Sequence, residues 1–152
     1  FALGANGRVV VCYSPVGGKS TSFGILNEEG VEPLFDLPGQ DLSILAASPS
    51  GRFVYGSSGL DHTLVDLETK ATFPIHKGLG FAAAFLDDGL LLEARQAELA
   101  LDSAPGWERT GSIDLKVKHL AASKDGGVIA AVGAAKGVVW SRDELLAAAK
   151  AG

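Results

Sequence analysis

Methionine is absent from this 152-residue chain, and cysteine occurs once, as Cys12. A single cysteine excludes an internal disulfide framework and any zinc cluster built on thiolates. It also fits a reducing, cytoplasmic setting better than an oxidising one. No apolar run reaches the roughly 18 residues that would span a bilayer. No leader pattern opens the chain, which starts at Phe1 and so fits a processed product or a fragment as well as a whole protein. Basic residues are the scarcer charge, 13 against 18 acidic, for a net charge of −5. That balance argues against a general nucleic-acid-binding surface.

What is present describes a globular chain. Hydrophobic residues make up 47% and charged residues 20%, too apolar for disorder. Twenty glycines and six prolines make it rich in turns. Four segments align without gaps: Ala2-Leu-Gly-Ala-Asn-Gly7, Ala46-Ala-Ser-Pro-Ser-Gly51, Ala84-Phe-Leu-Asp-Asp-Gly89 and Ala121-Ala-Ser-Lys-Asp-Gly126. Each sets a small Ala five residues before a turn glycine, and the glycines recur at roughly forty residues, a period typical of repeat folds. Asn-Gly and Asp-Gly between apolar runs signal tight hairpins.

Each turn leads into a short apolar run: Val9–Tyr13, Phe53–Tyr55, Leu90–Leu92 and Val128–Val132. Continuous apolar runs of this length suit strands buried on both faces. A Gly-rich or polar loop and a third run follow each: Ser22–Leu26, Thr63–Leu67, Glu98–Leu101 and Gly137–Trp140. In three repeats a fourth run follows, at Val31–Leu37, Ala71–Ile75 and Trp107–Leu115. Four short antiparallel strands per period predict an all-β, β-propeller-like fold of about four blades. The first strand of each repeat is rich in Ala and Gly, as crowding near a propeller axis requires. The repeats run over about 1–38, 39–76, 77–115 and 116–140. The last blade is incomplete. In place of a fourth strand, Ser141-Arg-Asp-Glu144 reads as a capping box that opens a short C-terminal helix within 141–152, with Gly152 suited to close it.

The segment Ile44-Leu-Ala-Ala-Ser-Pro-Ser-Gly-Arg52 resembles the opening of a WD40 or YVTN-type repeat, and Thr63-Leu-Val-Asp-Leu-Glu-Thr69 resembles its third strand and turn. The resemblance implies a propeller that serves as a binding platform. The chain departs from the WD40 pattern in two places. Gly39-Gln40 stands where Gly-His is usual, and Trp-Asp is half matched by Val65-Asp66 and by Trp140-Ser141.

No motif carries a chemistry. Ser14-Pro-Val-Gly-Gly-Lys-Ser-Thr21 resembles the end of a phosphate-binding loop, but Tyr13 holds a position that needs glycine, and a strand follows where a helix should. His62, His76 and His119 lack metal spacing, and His62 beside Asp61 reads as a local ion pair. Asp87-Asp88 reads as turn chemistry and Cys12 as an inert core thiol. Trp107 reads as a packed strand residue. No cofactor is expected. The loops expected on one end of a propeller carry Lys19, Asp61, His62, Arg95, Gln96 and Lys136. The connections between blades add Gln40, His76, Lys77 and Lys118. This polar, locally basic end is the expected recognition face. The expected function is a non-catalytic scaffold or interaction module, completed by another protein chain or by further sequence. An enzyme of the lactonase or quinoprotein propeller type, or a small ligand-binding sensor, is the alternative.

Overall fold

A computed structural model describes residues 2–5, 8–14 and 20–149. They form fifteen strands in four antiparallel sheets, and one short helix. The first sheet is β1 (Ala2–Ala5), β2 (Arg8–Tyr13), β3 (Ser20–Asn27) and β4 (Gly30–Pro38). The second is β5 (Ser43–Ala47), β6 (Phe53–Ser58), β7 (Asp61–Asp66) and β8 (Thr72–Lys77). The third is β9 (Gly80–Asp87), β10 (Leu90–Arg95), β11 (Leu99–Ser103) and β12 (Glu108–Ile113). The fourth holds β13 (His119–Ala122), β14 (Val128–Val132) and β15 (Gly137–Ser141), and α1 (Arg142–Ala148) follows. Strand order in every sheet is the order of the chain. Prolines 33 and 38 both fall on β4, an edge strand, where a missing ladder N–H costs least.

The first strands β5, β9 and β13 lie against one another in succession. Each pair of neighbouring sheets closes on its own core. Val10, Cys12 and Phe23 meet Leu42, Ile44, Val54 and Val65 between the first and second sheets. Phe53, Tyr55 and Leu64 meet Phe85, Leu91 and Trp107 between the second and third. Leu92, Leu99 and Leu101 meet Val117, Ile129, Ala131 and Leu145 between the third and fourth.

Turn chemistry differs from the tight hairpins expected at every repeat. In the second and fourth sheets the first turn is anchored by a serine. Ser48 N donates to Phe53 O, the Ser48 hydroxyl accepts from Phe53 N, and Gly51 N donates to Ser48 O. Ser123, Val128 and Gly126 repeat every one of these bonds. Gly51 and Gly126 stand at φ +77° and +68°, where glycine is strongly preferred. A Cβ on Gly126 would collide with the Leu86 carbonyl oxygen, so this turn presses directly on the third sheet. In the first and third sheets only two residues separate the paired ends Ala5↔Arg8 and Asp87↔Leu90. The turn Asn6-Gly7 lies outside the described residues.

Three other expectations need correction. Trp107 is not in a strand: it sits in the turn before β12 at φ +57°, buried with its ring edge-on to Phe53 and Phe85. The helix ends at Ala148 with Ala149 as its C-cap, short of Gly152, which lies outside the described residues. Burial on both faces holds for the inner sheets and fails for the outer two. In β14 the side chains of Ile129 and Ala131 are buried, but Val128 and Val132 are half exposed.

Candidate functional site

The turns between second and third strands lie against the connections that join the sheets. Gly78 N donates to Leu60 O and Lys118 N to Val132 O. The Thr21 hydroxyl accepts from Leu42 N and donates to Gln40 O. The residues of the expected recognition face divide at this end. Gln96, Lys118 and Lys136 are exposed. Asp61 and Lys77 are exposed and face each other across β7 and β8 at 3.6 Å. Gln40 is half-buried, with a side-chain oxygen that has no hydrogen-bond partner among the described residues. Lys19 lies outside the described residues.

His62 does not pair with Asp61. Alternation along β7 sends the two side chains to opposite faces. His62 is buried with Nδ1 2.9 Å from the Tyr55 hydroxyl and Nε2 3.1 Å from the Gly78 carbonyl. That carbonyl fixes Nε2 as a donor. His76 stands directly opposite on β8, ring centroids 5.3 Å apart. Burial, then the nearby Arg95 charge, holds the His76 imidazole below its ordinary value.

Arg95 also turns inward. Its guanidinium bonds Glu93 at 2.6 Å and reaches Asp102 at 3.4 Å. Glu93 and Asp102 are diagonal neighbours on one face of the β10–β11 pair. The Tyr55 hydroxyl of the second sheet bridges His62 to Glu93 of the third. A polar chain of Tyr55, His62, Glu93, Arg95 and Asp102 therefore crosses the interface between two sheets. Burial opposes ionisation of Glu93, but hydrogen bonds from Asp102 and Tyr55 and the charge of Arg95 outweigh it and hold this carboxyl below its usual range. Burial and the bond to Glu93 push Asp102 up to about 8. Glu93 thus carries the negative charge, and Asp102 donates a proton to it. Tyr55 is raised by burial and by Glu93. The single Tyr55 hydroxyl proton goes to Glu93, which also accepts from Arg95, so the buried negative charge is well partnered.

Among the described residues no group of three or more His, Cys, Asp or Glu is placed to hold a metal ion. No described helix is long and apolar enough to cross a membrane.

The accessible features are the outer faces of the end sheets. On the fourth sheet, register places Val128, Ala130, Val132 and Val139 on the side away from the third sheet. Val139 is 67% exposed, Val128 50% and Val132 47%. On the first sheet, Val9, Val11, Tyr13 and Leu26 share the side away from the second. Tyr13 and Leu26 are each 44% exposed. Soluble proteins seldom leave such contiguous apolar surface uncovered unless it binds something. The serine turns and the buried acid pair had no legible partner in the local sequence, whereas the exposed valines had a signal. Val128-Ile-Ala-Ala-Val132 carries the pattern of a strand buried on both faces and is covered on one. No protein-family model and no curated protein matches this chain.

Proposed function

We propose that this chain is a non-catalytic interaction module, an open run of four propeller sheets of WD40 or YVTN type whose end faces are covered by another protein chain. The observation that carries the reading is the bare apolar face of the fourth sheet, centred on Val139. Supporting it are the four-strand repeat in chain order and the small-residue first strands packed in succession. Each internal face of the stack is already used in a core. The outer faces have the same composition and remain bare. The polar cluster of Tyr55, His62, Glu93, Arg95 and Asp102 fastens two sheets together in this reading.

The test is solution mass by light scattering at micromolar concentration, with binding of an apolar fluorescent dye measured alongside. The reading expects association, or dye binding by a cooperatively folded chain that is lost in Val139→Asp. A mass of 15.6 kDa without dye binding would overturn it.

A further inference from the structure

We infer that the chain covering both outer faces is a second copy of this one, joined head to tail, with the fourth sheet of each copy against the first sheet of the other. This rests on reading the chain as an open run of propeller sheets.

The argument begins with the turns. Sheets two and four share the serine-anchored first turn, and sheets one and three share the two-residue connection. The two kinds of turn go with opposite facing of the residue two places after the turn glycine. In the second sheet, Phe53 and Tyr55 point at the third sheet. Their counterparts in the fourth sheet, Val128 and Ala130, point outward. In the third sheet, Leu91 points back at the second. Its counterpart in the first sheet, Val9, points outward in the reverse direction. The fourth sheet thus offers the face that the second sheet uses, and the first offers the face that the third uses. Bringing them together repeats the contact already made between the second and third sheets.

Charge agrees with this pairing. Lys116, Lys118, Lys124 and Lys136 belong to the fourth repeat, with Asp125 the one acid there; Glu28, Glu29, Glu32 and Asp36 belong to the first, against Arg8 and Lys19. Unlike-charged ends steer a head-to-tail encounter and oppose pairing of like ends. Closure agrees too. Among the described residues of a single copy, both end faces keep half-exposed apolar side chains. Two copies make eight sheets, the upper end of the roughly four to eight blades of typical propellers, and three copies would exceed it. A two-fold dimer buries both faces of both copies through two equivalent contacts.

Two variants separate the outcomes. Val139→Asp blocks the fourth-sheet face and Leu26→Asp blocks the first-sheet face. Wild type is expected at twice 15.6 kDa. Each variant alone is expected at the single-chain mass, its dimer weakened about 100-fold. An equimolar mixture is expected to regain dimers, because one variant keeps an intact fourth sheet and the other an intact first. Val128→Asp and Tyr13→Asp, on the same faces, replace either variant that fails to fold. A dimer that survives in one variant alone means like faces pair, and the head-to-tail inference fails. Wild type at 15.6 kDa that binds dye means the occupant is a different chain, and again this inference fails while the interaction module stands. Wild type at that mass without dye binding overturns both.

Discussion

Two buried carboxyl groups that share a hydrogen bond do not ionise together, and here the proton stays on Asp102 while Glu93 takes the charge. The consequence is a pH dependence with a definite sign. The folded value of about 8 lies above the ordinary 3.8, so the folded chain holds this proton more tightly than the unfolded one. The stabilisation is complete below about pH 4, declines as pH rises, and is gone above about 8. Asp66 acts in the opposite sense. The Arg52 guanidinium is the largest cause that lowers it to about 2, so its support is present above 3.8 and lost as pH falls through 2. Between pH 5 and 9 only Asp102 of the two titrates. Above about pH 7.5, beyond the range in which the lowered His76 imidazole works in the opposite sense, urea midpoints should fall as pH rises to about 9. Asp102→Asn keeps a donor to Glu93 and removes the titration, so its midpoint should stay nearly flat. A variant that loses stability in parallel with wild type would place the titration elsewhere. The cluster was not legible in the sequence. Glu93 reads as the polar end of Leu90-Leu-Leu-Glu, and its partner Tyr55 comes from another sheet, 38 residues away.

Helix α1 shows what a short element needs in order to exist. Seven residues cannot sustain a helix alone in water. Both bonds of the capping box form: Glu144 N donates to the Ser141 hydroxyl and Ser141 N to the Glu144 carboxylate. Leu145, fully buried among Leu86, Leu99 and Ile129, supplies the tertiary hold. Arg142 adds a tie to Asp87 and to the Leu86 carbonyl of β9. Packing should therefore outweigh capping. Leu145→Ala is expected to cost about 2–5 kcal/mol, by lost burial and the cavity left behind. Ser141→Ala is expected to cost about 0.5–2 kcal/mol. Equal costs in denaturant titrations would mean that the helix is not docked through Leu145. The cap was legible because its four residues are contiguous. The strands were legible for a similar reason, since turn and apolar run alternate locally, and the expected runs fall on β2, β3, β4, β6, β7, β8, β10, β11, β12, β14 and β15 within a few residues. Trp107 misled because its positive φ breaks the strand pattern while its ring fills the core. Face assignment at Asp61 and His62 misled because one residue of register decides which of two neighbours is buried.

At the scale of the molecule, stability should be graded from the middle outward. The strands β6, β7, β10 and β11 are buried on both faces, with Val54, Leu64, Val65, Leu91, Leu92, Leu99 and Ala100 at most 1% exposed. The inner pair of sheets is also fastened by the Tyr55–Glu93 bridge and by Ser50 N donating to Asp88 at 3.1 Å. The end sheets bury one face each, and burial of apolar area is the main favourable term in folding. Local opening free energy follows the contacts that must be broken. Amide hydrogen exchange should therefore be slowest in β6, β7, β10 and β11. It should be at least about tenfold faster in β2 and β14 of an isolated chain, which corresponds to a difference of roughly 1.4 kcal/mol. The gradient should depend on assembly. If the outer faces become buried between copies, β2 and β14 gain a second covered face and their exchange should slow with rising protein concentration, while the inner strands stay unchanged. Val139→Asp, which keeps the inner cores, should hold the isolated-chain pattern at every concentration. Uniform protection across all four sheets at high dilution would mean that the end faces contribute as much as the inner ones, and the open stack would not describe the molecule in solution.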